Sequence, residues 1–148
     1  MRIIVIGSGF VGEAFSLLME GRGNEVFRIS KSGSGKSIGM DVSDLKSVQL
    51  TRDKIGEVDA VIHCASSGSR GQDRNQRYQK VYVDGCWNLS QSFSQSMIVF
   101  VSSSSVYGQN DGSIVDENSK TEPASSTGNL LLEAEKIALN SNGSVARL

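Results

Sequence analysis

The residues with the clearest chemical purpose stand near the front of the chain, in Gly7-Ser8-Gly9-Phe10-Val11-Gly12. A G-x-G-x-x-G run is weak on its own. Here it lies between a β-branched run, Arg2 to Ile6, and a stretch with helical spacing, the context a dinucleotide fingerprint requires. Gly7 would permit a tight turn, Gly9 would let the backbone approach a pyrophosphate, and Gly12 would let helix pack closely on strand. The N–H groups of Ser8, Phe10, Val11 and their neighbours would then hold phosphate oxygens at the positive end of the helix. The other reading is a strand-to-helix turn without a ligand, although three glycines cost backbone entropy that a plain turn does not need.

A site selective for NAD usually carries an acid about 20 residues beyond the glycines, where it meets the ribose. The corresponding segment, Phe27-Arg28-Ile29-Ser30-Lys31-Ser32, has none. Ser30, Lys31 and Ser32 offer hydroxyls and a cation to a 2′-phosphate instead, which favours NADP over NAD. Lys31 could equally be a solvated loop charge, and Arg28 lies inside the strand, where it can point away. Asp41, followed by Val42, could accept a hydrogen bond from the adenine amino group or cap the next helix. Ala65 and Ser66 are small enough at a strand end for a cofactor to lie close.

Further along, Val99 to Gly108 reads VFVSSSSVYG and puts four hydroxyls at the end of another strand. His63, the only histidine, sits on an apolar strand and reads as a core residue. Cys64 and Cys86 lack metal-ligand spacing and also read as core, so no metal site is expected. Two cysteines that read as core and the lack of a signal-type leader point to a reducing compartment, the cytoplasm.

The elements that must position these residues follow from period and punctuation. Apolar runs predict strands at Arg2–Ile6, Glu25–Ser30, Ser37–Met40, Val58–Cys64, Met97–Ser103 and Ser144–Leu148. Helical spacing predicts helices over Phe10–Met19, from an Asp41 or Ser43 cap to about Leu50, over Asp73–Gln95 and over Ala124–Asn140. The first carries Phe10, Val11, Ala14, Phe15, Leu17 and Leu18 as its apolar residues. The long third would turn Tyr78, Val81, Tyr82, Cys86, Leu89 and Phe93 inward, with Trp87 also core-facing. Glu133, Glu135 and Lys136 read as a solvated face. Between strands and helices lie the loops Lys31–Lys36, Ala65–Gly71 and Ser104–Glu122, the last long enough to suggest function. Alternating strands and helices imply a Rossmann-type doubly wound parallel α/β sheet.

The chain has 148 residues, a net charge of −1, 16 glycines and one proline. That length suits one domain, 1–148. The near-neutral charge argues against nucleic acid, and no apolar run is long enough to span a membrane. Glycine is enriched and proline scarce relative to ordinary usage, which fits tight backbone approaches at defined places. Ending inside a strand, the sequence reads as the front of a longer protein whose C-terminal substrate-binding part is absent.

Taken together, GSGFVG, GMDVSD, VDAVIHCAS, YQKVYVDGCWNLSQS, FVSSSSVYG and the stretch from DENSKTEP to LLLEAEKIAL resemble the extended short-chain dehydrogenase/reductases, the NAD-dependent epimerase/dehydratases. The resemblance implies a nicotinamide cofactor and a small-molecule substrate bearing a hydroxyl or carbonyl, mainly a sugar nucleotide. It also implies a possible homodimer through a four-helix contact. It maps a catalytic hydroxyl, which would bind the substrate oxygen, onto Ser103, with Ser102 near the nicotinamide. It also locates departures. Alignment on Pro123 and Gly128 puts Thr127 where the family has its acid/base Tyr and Leu131 where it has the Lys that lowers that Tyr's pKa. Thr127 is thus a doubtful catalytic candidate, and Tyr107 is structural or substrate-facing. Tyr82 stands where many members have Asn, and Ile6 where the extended family's first motif glycine falls. The combination resembles the atypical branch of the family. Two functions remain open: an NADP-dependent oxidoreductase or epimerase-like enzyme, and a non-catalytic dinucleotide-binding redox sensor or regulatory protein.

Overall fold

The computed structural model describes residues 1–68 and 73–148. Strands β1 (Arg2–Ile6), β2 (Glu25–Ser30), β3 (Ile38–Gly39), β4 (Ala60–His63), β5 (Met97–Ser102) and β6 (Ser144–Arg147) form a single sheet in the order β3-β2-β1-β4-β5-β6. Every pairing is parallel. Helices α1 (Phe10–Gly21), α2 (Leu45–Ile55), α3 (Arg74–Tyr78), α4 (Gly85–Ser92) and α5 (Ser126–Asn140) connect the strands. A π-helical segment, Gln79–Asp84, joins α3 to α4, and a 3₁₀ turn, Ser104–Val106, follows β5. This is the Rossmann-type doubly wound sheet, with the reversal of its strand order between β1 and β4.

Because β1 is central, both of its faces are covered, and the unbroken run Ile3-Ile4-Val5-Ile6 is fully buried. Ile4 and Ile6 belong to the larger core, where Val61, Ile98 and Phe100 of the sheet meet Val48 of α2, Leu89 of α4 and Ala134 of α5. Ile3 and Val5 face the smaller core with Ala60 and Ile62, against Phe15 and Met19 of α1.

Several expected boundaries and faces shift. In α1, Gly12 and Ser16 are buried, with Phe15 and Met19 half-buried, a 12-15-16-19 stripe. Phe10 is 92% exposed, and Val11, Leu17 and Leu18 are also exposed rather than inside. Seating Gly12 directly against the sheet sets the rotation of the helix and turns these apolar residues outward. Helix α2 is capped by Asp44, which accepts from the Lys46 N–H at 3.0 Å, not by Asp41 or Ser43. It runs past Leu50 to Ile55, because Val48, Thr51 and Ile55 continue one buried stripe, and Gly56 (φ 80°) ends it.

The long helix is α3, the π segment and α4 in succession, and the wider π turn resets its phase. Cys86, Leu89 and Phe93 point inward, whereas Trp87, one residue round from Cys86, is 55% exposed. Glu135 is not on a solvated face: it is 2% exposed and grips Arg147 of β6 through Nε (3.0 Å) and Nη2 (2.7 Å). Residues 69–71 of the loop expected after β4 lie outside the described residues. Strand β4 is shorter than expected, running from Ala60 to His63, and the Asp59 carboxylate just before it accepts from the Arg2 N–H (2.7 Å). No helix among the described residues is long and apolar enough to cross a membrane.

Candidate functional site

The carboxyl ends of β1, β2 and β4 open onto a cavity of about 280 Å³. Gly7, Ser8 and Gly9 form its floor, Ser30, Lys31, Asp41 and Val42 one side, and Ala65 and Ser66 the other. Nine residues singled out from the sequence therefore meet in one place. Ile6, Met40, Cys64 and Val81 also line it. The first three adjoin residues already selected, so their position could have been read from the sequence. Val81 could not, since the π segment presents it. Phe10, Val11, Gly12, Ser32, Ser102, Ser103 and Thr127 are not part of this lining.

The three glycines have different physical reasons. Gly7 has φ 112°, and a Cβ there would lie 2.7 Å from the Ala65 backbone, so the end of β4 forbids any side chain. Gly12 would drive a Cβ into the Gly7 carbonyl oxygen, with Cys64 Sγ at 3.0 Å. Gly9 has ordinary extended geometry (φ −79°), and a Cβ on it would meet nothing within 4 Å. Nothing in the packing of the described residues requires that glycine. It borders the cavity, so its missing side chain leaves room only for something that comes from outside.

Gly9 is also the N-cap of α1, and no side chain caps this end. The first internal bond is Glu13 N–H to Gly9 O, 2.9 Å, so the N–H groups of the first turn remain for an anion. Open space beside Gly9, an uncapped helix start and a cavity along the sheet edge fit an extended dinucleotide with its pyrophosphate at Gly9.

At the β2 end, Lys31 Nζ pairs with Asp41 Oδ2 at 2.8 Å. The other oxygen, Asp41 Oδ1, accepts from the N–H (3.1 Å) and hydroxyl (2.7 Å) of Ser43. Burial pulls the Asp41 carboxyl up, but Lys31 and the Ser43 bonds together outweigh it and hold the group below its ordinary value. Ser30 Oγ accepts from the Gly33 N–H at 3.1 Å, and Ser32 Oγ lies 3.0 Å from Ser34 Oγ. Arg28 points away, onto Glu13 (2.6 Å) and Glu20 (2.8 Å) of α1. Cys64 Sγ donates to Ile6 O at 3.2 Å, and burial pushes its thiol up to about 11, so it stays protonated.

The β5 end is built differently. Ser102 is buried, and its Oγ has no hydrogen-bond partner among the described residues. Ser103, half-buried, accepts from the Ser105 N–H (3.2 Å) and caps the 3₁₀ turn. Thr127 is buried in the first turn of α5, its Oγ1 3.2 Å from Oγ of Ser125, the residue that caps the helix. Leu131, one turn on, belongs to the core. The positions that the resemblance would give to a phenol and an ammonium thus hold an internal hydroxyl and an apolar side chain.

Tyr107 is structural. Its hydroxyl donates to Asp116 O (2.7 Å) and accepts from Arg147 Nη1 (2.9 Å), with the guanidinium 5.1 Å over its ring. Glu135 holds the Arg147 guanidinium above its ordinary value, against the opposing effect of burial. No local motif marks this Glu135–Arg147–Tyr107 chain, because its members come from α5, β6 and the loop after β5. His63 is a core residue, as its setting implied: Nε2 lies 2.9 Å from Val81 O, and burial pushes its pKa down to about 4. No group of three His, Cys, Asp or Glu among the described residues could hold a metal ion.

Comparison with known proteins agrees with this geometry. The NAD dependent epimerase/dehydratase family matches residues 3–138, and the chain belongs to that family. A short-chain dehydrogenase/reductase superfamily protein from Agrobacterium tumefaciens, solved with bound NAD, is 26% identical with a TM-score of 0.82, covering 99% of this chain and 48% of that one. A dTDP-4-dehydrorhamnose reductase from Clostridium acetobutylicum shares the fold at 21% identity and TM-score 0.81, covering 99% and 52%. So does the enzyme WbmG of Bordetella bronchiseptica in complex with NAD, at 19% and 0.80, covering 98% and 51%. The chain spans about half the length of these structures. No curated protein matches it.

Proposed function

We propose that this chain binds a nicotinamide dinucleotide along the cavity, preferring NADP to NAD, and serves an oxidoreductase or epimerase-like reaction at a hydroxyl or carbonyl group. A sugar nucleotide is the substrate class that the family favours. The observation that carries the binding is Gly9, whose open side and uncapped helix start answer no internal need. Gly7, Ser8, Gly9 and the N–H groups of Phe10, Val11 and Gly12 would take the pyrophosphate. Ala65 and Ser66 would border the ribose. A relative at 26% identity, solved with bound NAD, supports the binding of a nicotinamide dinucleotide.

The NADP preference rests on Lys31. Its side chain is 80% exposed, and an exposed ion pair contributes only about 0–1 kcal/mol. Lys31 can therefore exchange Asp41 for a 2′-phosphate at little cost, which frees Asp41 Oδ2 to accept from the adenine amino group. With NAD the pair has no reason to open.

When bound, the cofactor accepts or donates a hydride. Ser103 would hold the substrate oxygen, and Ser102, whose hydroxyl has no partner among the described residues, would face the nicotinamide end. Thr127 cannot act as the family's phenol does, because threonine has no accessible ionised form near neutral pH and Leu131 supplies no cation. The proton must then come from water or from residues outside this chain, and substrate recognition from the half of the relatives that the chain does not span. A second reading, a non-catalytic redox sensor or regulatory protein, is favoured specifically by the buried Thr127 and Leu131. The proposal includes the cytoplasm as the compartment, given two unpaired thiols, and a homodimer through the long helix and α5.

Titration of the chain with NADP⁺ and NAD⁺ tests the cofactor reading. Tighter binding of NADP⁺ is expected, with Lys31→Met weakening it about fivefold and leaving NAD⁺ unharmed. Equal or tighter binding of NAD⁺ by the unaltered protein would overturn the preference. NADPH turnover over a panel of sugar nucleotides and carbonyls, abolished by Ser103→Ala, would favour the enzyme. Binding without turnover would favour the sensor.

A further inference from the structure

Tyr82 stands on the π segment between α3 and α4, at the position where the family resemblance leads one to expect Asn. Its ring packs among three others: 4.9 Å edge-on from Tyr78, 5.9 Å from Phe100 of β5 and 6.4 Å from His63 of β4. Its hydroxyl leaves this cluster and accepts a hydrogen bond from the Ser67 N–H at 3.2 Å. Ser67 follows directly on Ala65 and Ser66, which form one wall of the cavity, while Val81, the residue before Tyr82, contributes to the lining from the helix. The Val81 carbonyl is in turn held by His63 Nε2 at 2.9 Å. One side chain thus joins the wall carried by β4 to the wall carried by the helix, and the strand beneath anchors the joint.

We infer that Tyr82 is a positioning residue for the nucleotide: its hydroxyl fixes the loop after β4 at the spacing the dinucleotide needs. This rests on the binding reading and goes beyond it, since it assigns a role to a departure from the family pattern. The Ser67 amide lies beyond the edge of the ring, so a side chain as short as Asn could not reach it from the same backbone position. The ring cluster keeps the phenol from swinging away. Aromatic neighbours on β4, β5 and α3 restrict its rotation and leave the hydroxyl directed at the loop.

Tyr82→Phe separates the hydroxyl from the ring. It preserves the packing and removes one neutral hydrogen bond, a loss that corresponds to about fivefold in an equilibrium constant. Amide hydrogen exchange and NADP⁺ titration would be measured on the full chain, unaltered and substituted. Exchange at the Ser67 N–H should rise about fivefold while the Val61 and Ile62 amides of β4 stay unchanged, and the Kd for NADP⁺ should rise about fivefold. If Tyr82→Phe binds NADP⁺ as tightly as the unaltered chain, or leaves Ser67 as protected, the positioning role is overturned and the binding reading survives. If the unaltered chain binds neither NADP⁺ nor NAD⁺, the reading beneath it falls as well.

Discussion

Along a single sheet edge, the end at β1, β2 and β4 and the end at β5 and α5 have been shaped by different demands. At the first, features have no internal use: Gly9 borders empty space, and the helix behind it lacks a cap. At the second, nearly every polar group is spent on the protein itself. Ser103 caps a turn, Thr127 sits on the capping Ser125, Leu131 fills the core, and Tyr107 is clasped by Arg147 and the Asp116 carbonyl. Among the described residues at that end, Ser102 alone keeps a buried hydroxyl without a partner. The difference teaches that, on the proposed reading, binding and catalysis lie at separate ends of one sheet edge. The first end leaves room that the described residues do not use, and the second holds packing where the family resemblance implies a proton relay.

The comparison can be broken most severely at Gly12. Gly12→Val forces a branched side chain into the Gly7 carbonyl and Cys64, an overpacking that costs about 3 kcal/mol or more. Chemical denaturation should find the variant largely unfolded. A stable, folded Gly12→Val would mean that helix and strand are not in the contact described.

Next in size is Arg147→Met, which leaves the buried Glu135 carboxylate without its guanidinium. Removing one partner of a buried pair costs about 3 kcal/mol. The midpoint of denaturation should fall while the affinity for NADP⁺ stays unchanged. Weaker binding with unchanged stability would dissolve the distinction between the two ends.

A smaller effect belongs to His63, whose buried ring titrates at about 4 against 6.5 when unfolded. The unfolded chain therefore binds the extra proton first as pH falls. The neutral ring's contribution is complete above pH 6.5 and is lost progressively from there down to pH 4. Between pH 7 and 5 the loss is about 2 kcal/mol, and His63→Phe should flatten that part of the profile. An unchanged slope in the variant would show that some other group titrates.

How much of this was legible beforehand follows the range of the interactions involved. Strand runs such as Ile3 to Ile6, and the glycine spacing beside them, are local signals, and they singled out nine of the residues that line the cavity. Lys31 and Asp41 were each visible as candidates, but their pairing required β2 and β3 to be neighbours. Composition and period failed where tertiary contact overrode them. Trp87, apolar in type, lies one residue round from the buried Cys86 and so falls off the inward stripe of Cys86, Leu89 and Phe93. Leu17 and Leu18 are turned outward because Gly12 sets the rotation of α1. Glu135 looks like any surface acid until β6 brings Arg147 to it. The Tyr82–Ser67 bond links two segments fifteen residues apart, and only the folded edge puts them in reach.

Gly9→Ala tests the central claim most directly, because the glycine serves a ligand or serves nothing. Thermal denaturation and NADP⁺ titration should be run on the same preparation. The account predicts stability within about 1 kcal/mol of the unaltered chain, as expected for an alanine at a helix N-cap, together with at least a tenfold loss of affinity, about 1.4 kcal/mol. Unchanged affinity in a folded Gly9→Ala protein would contradict it.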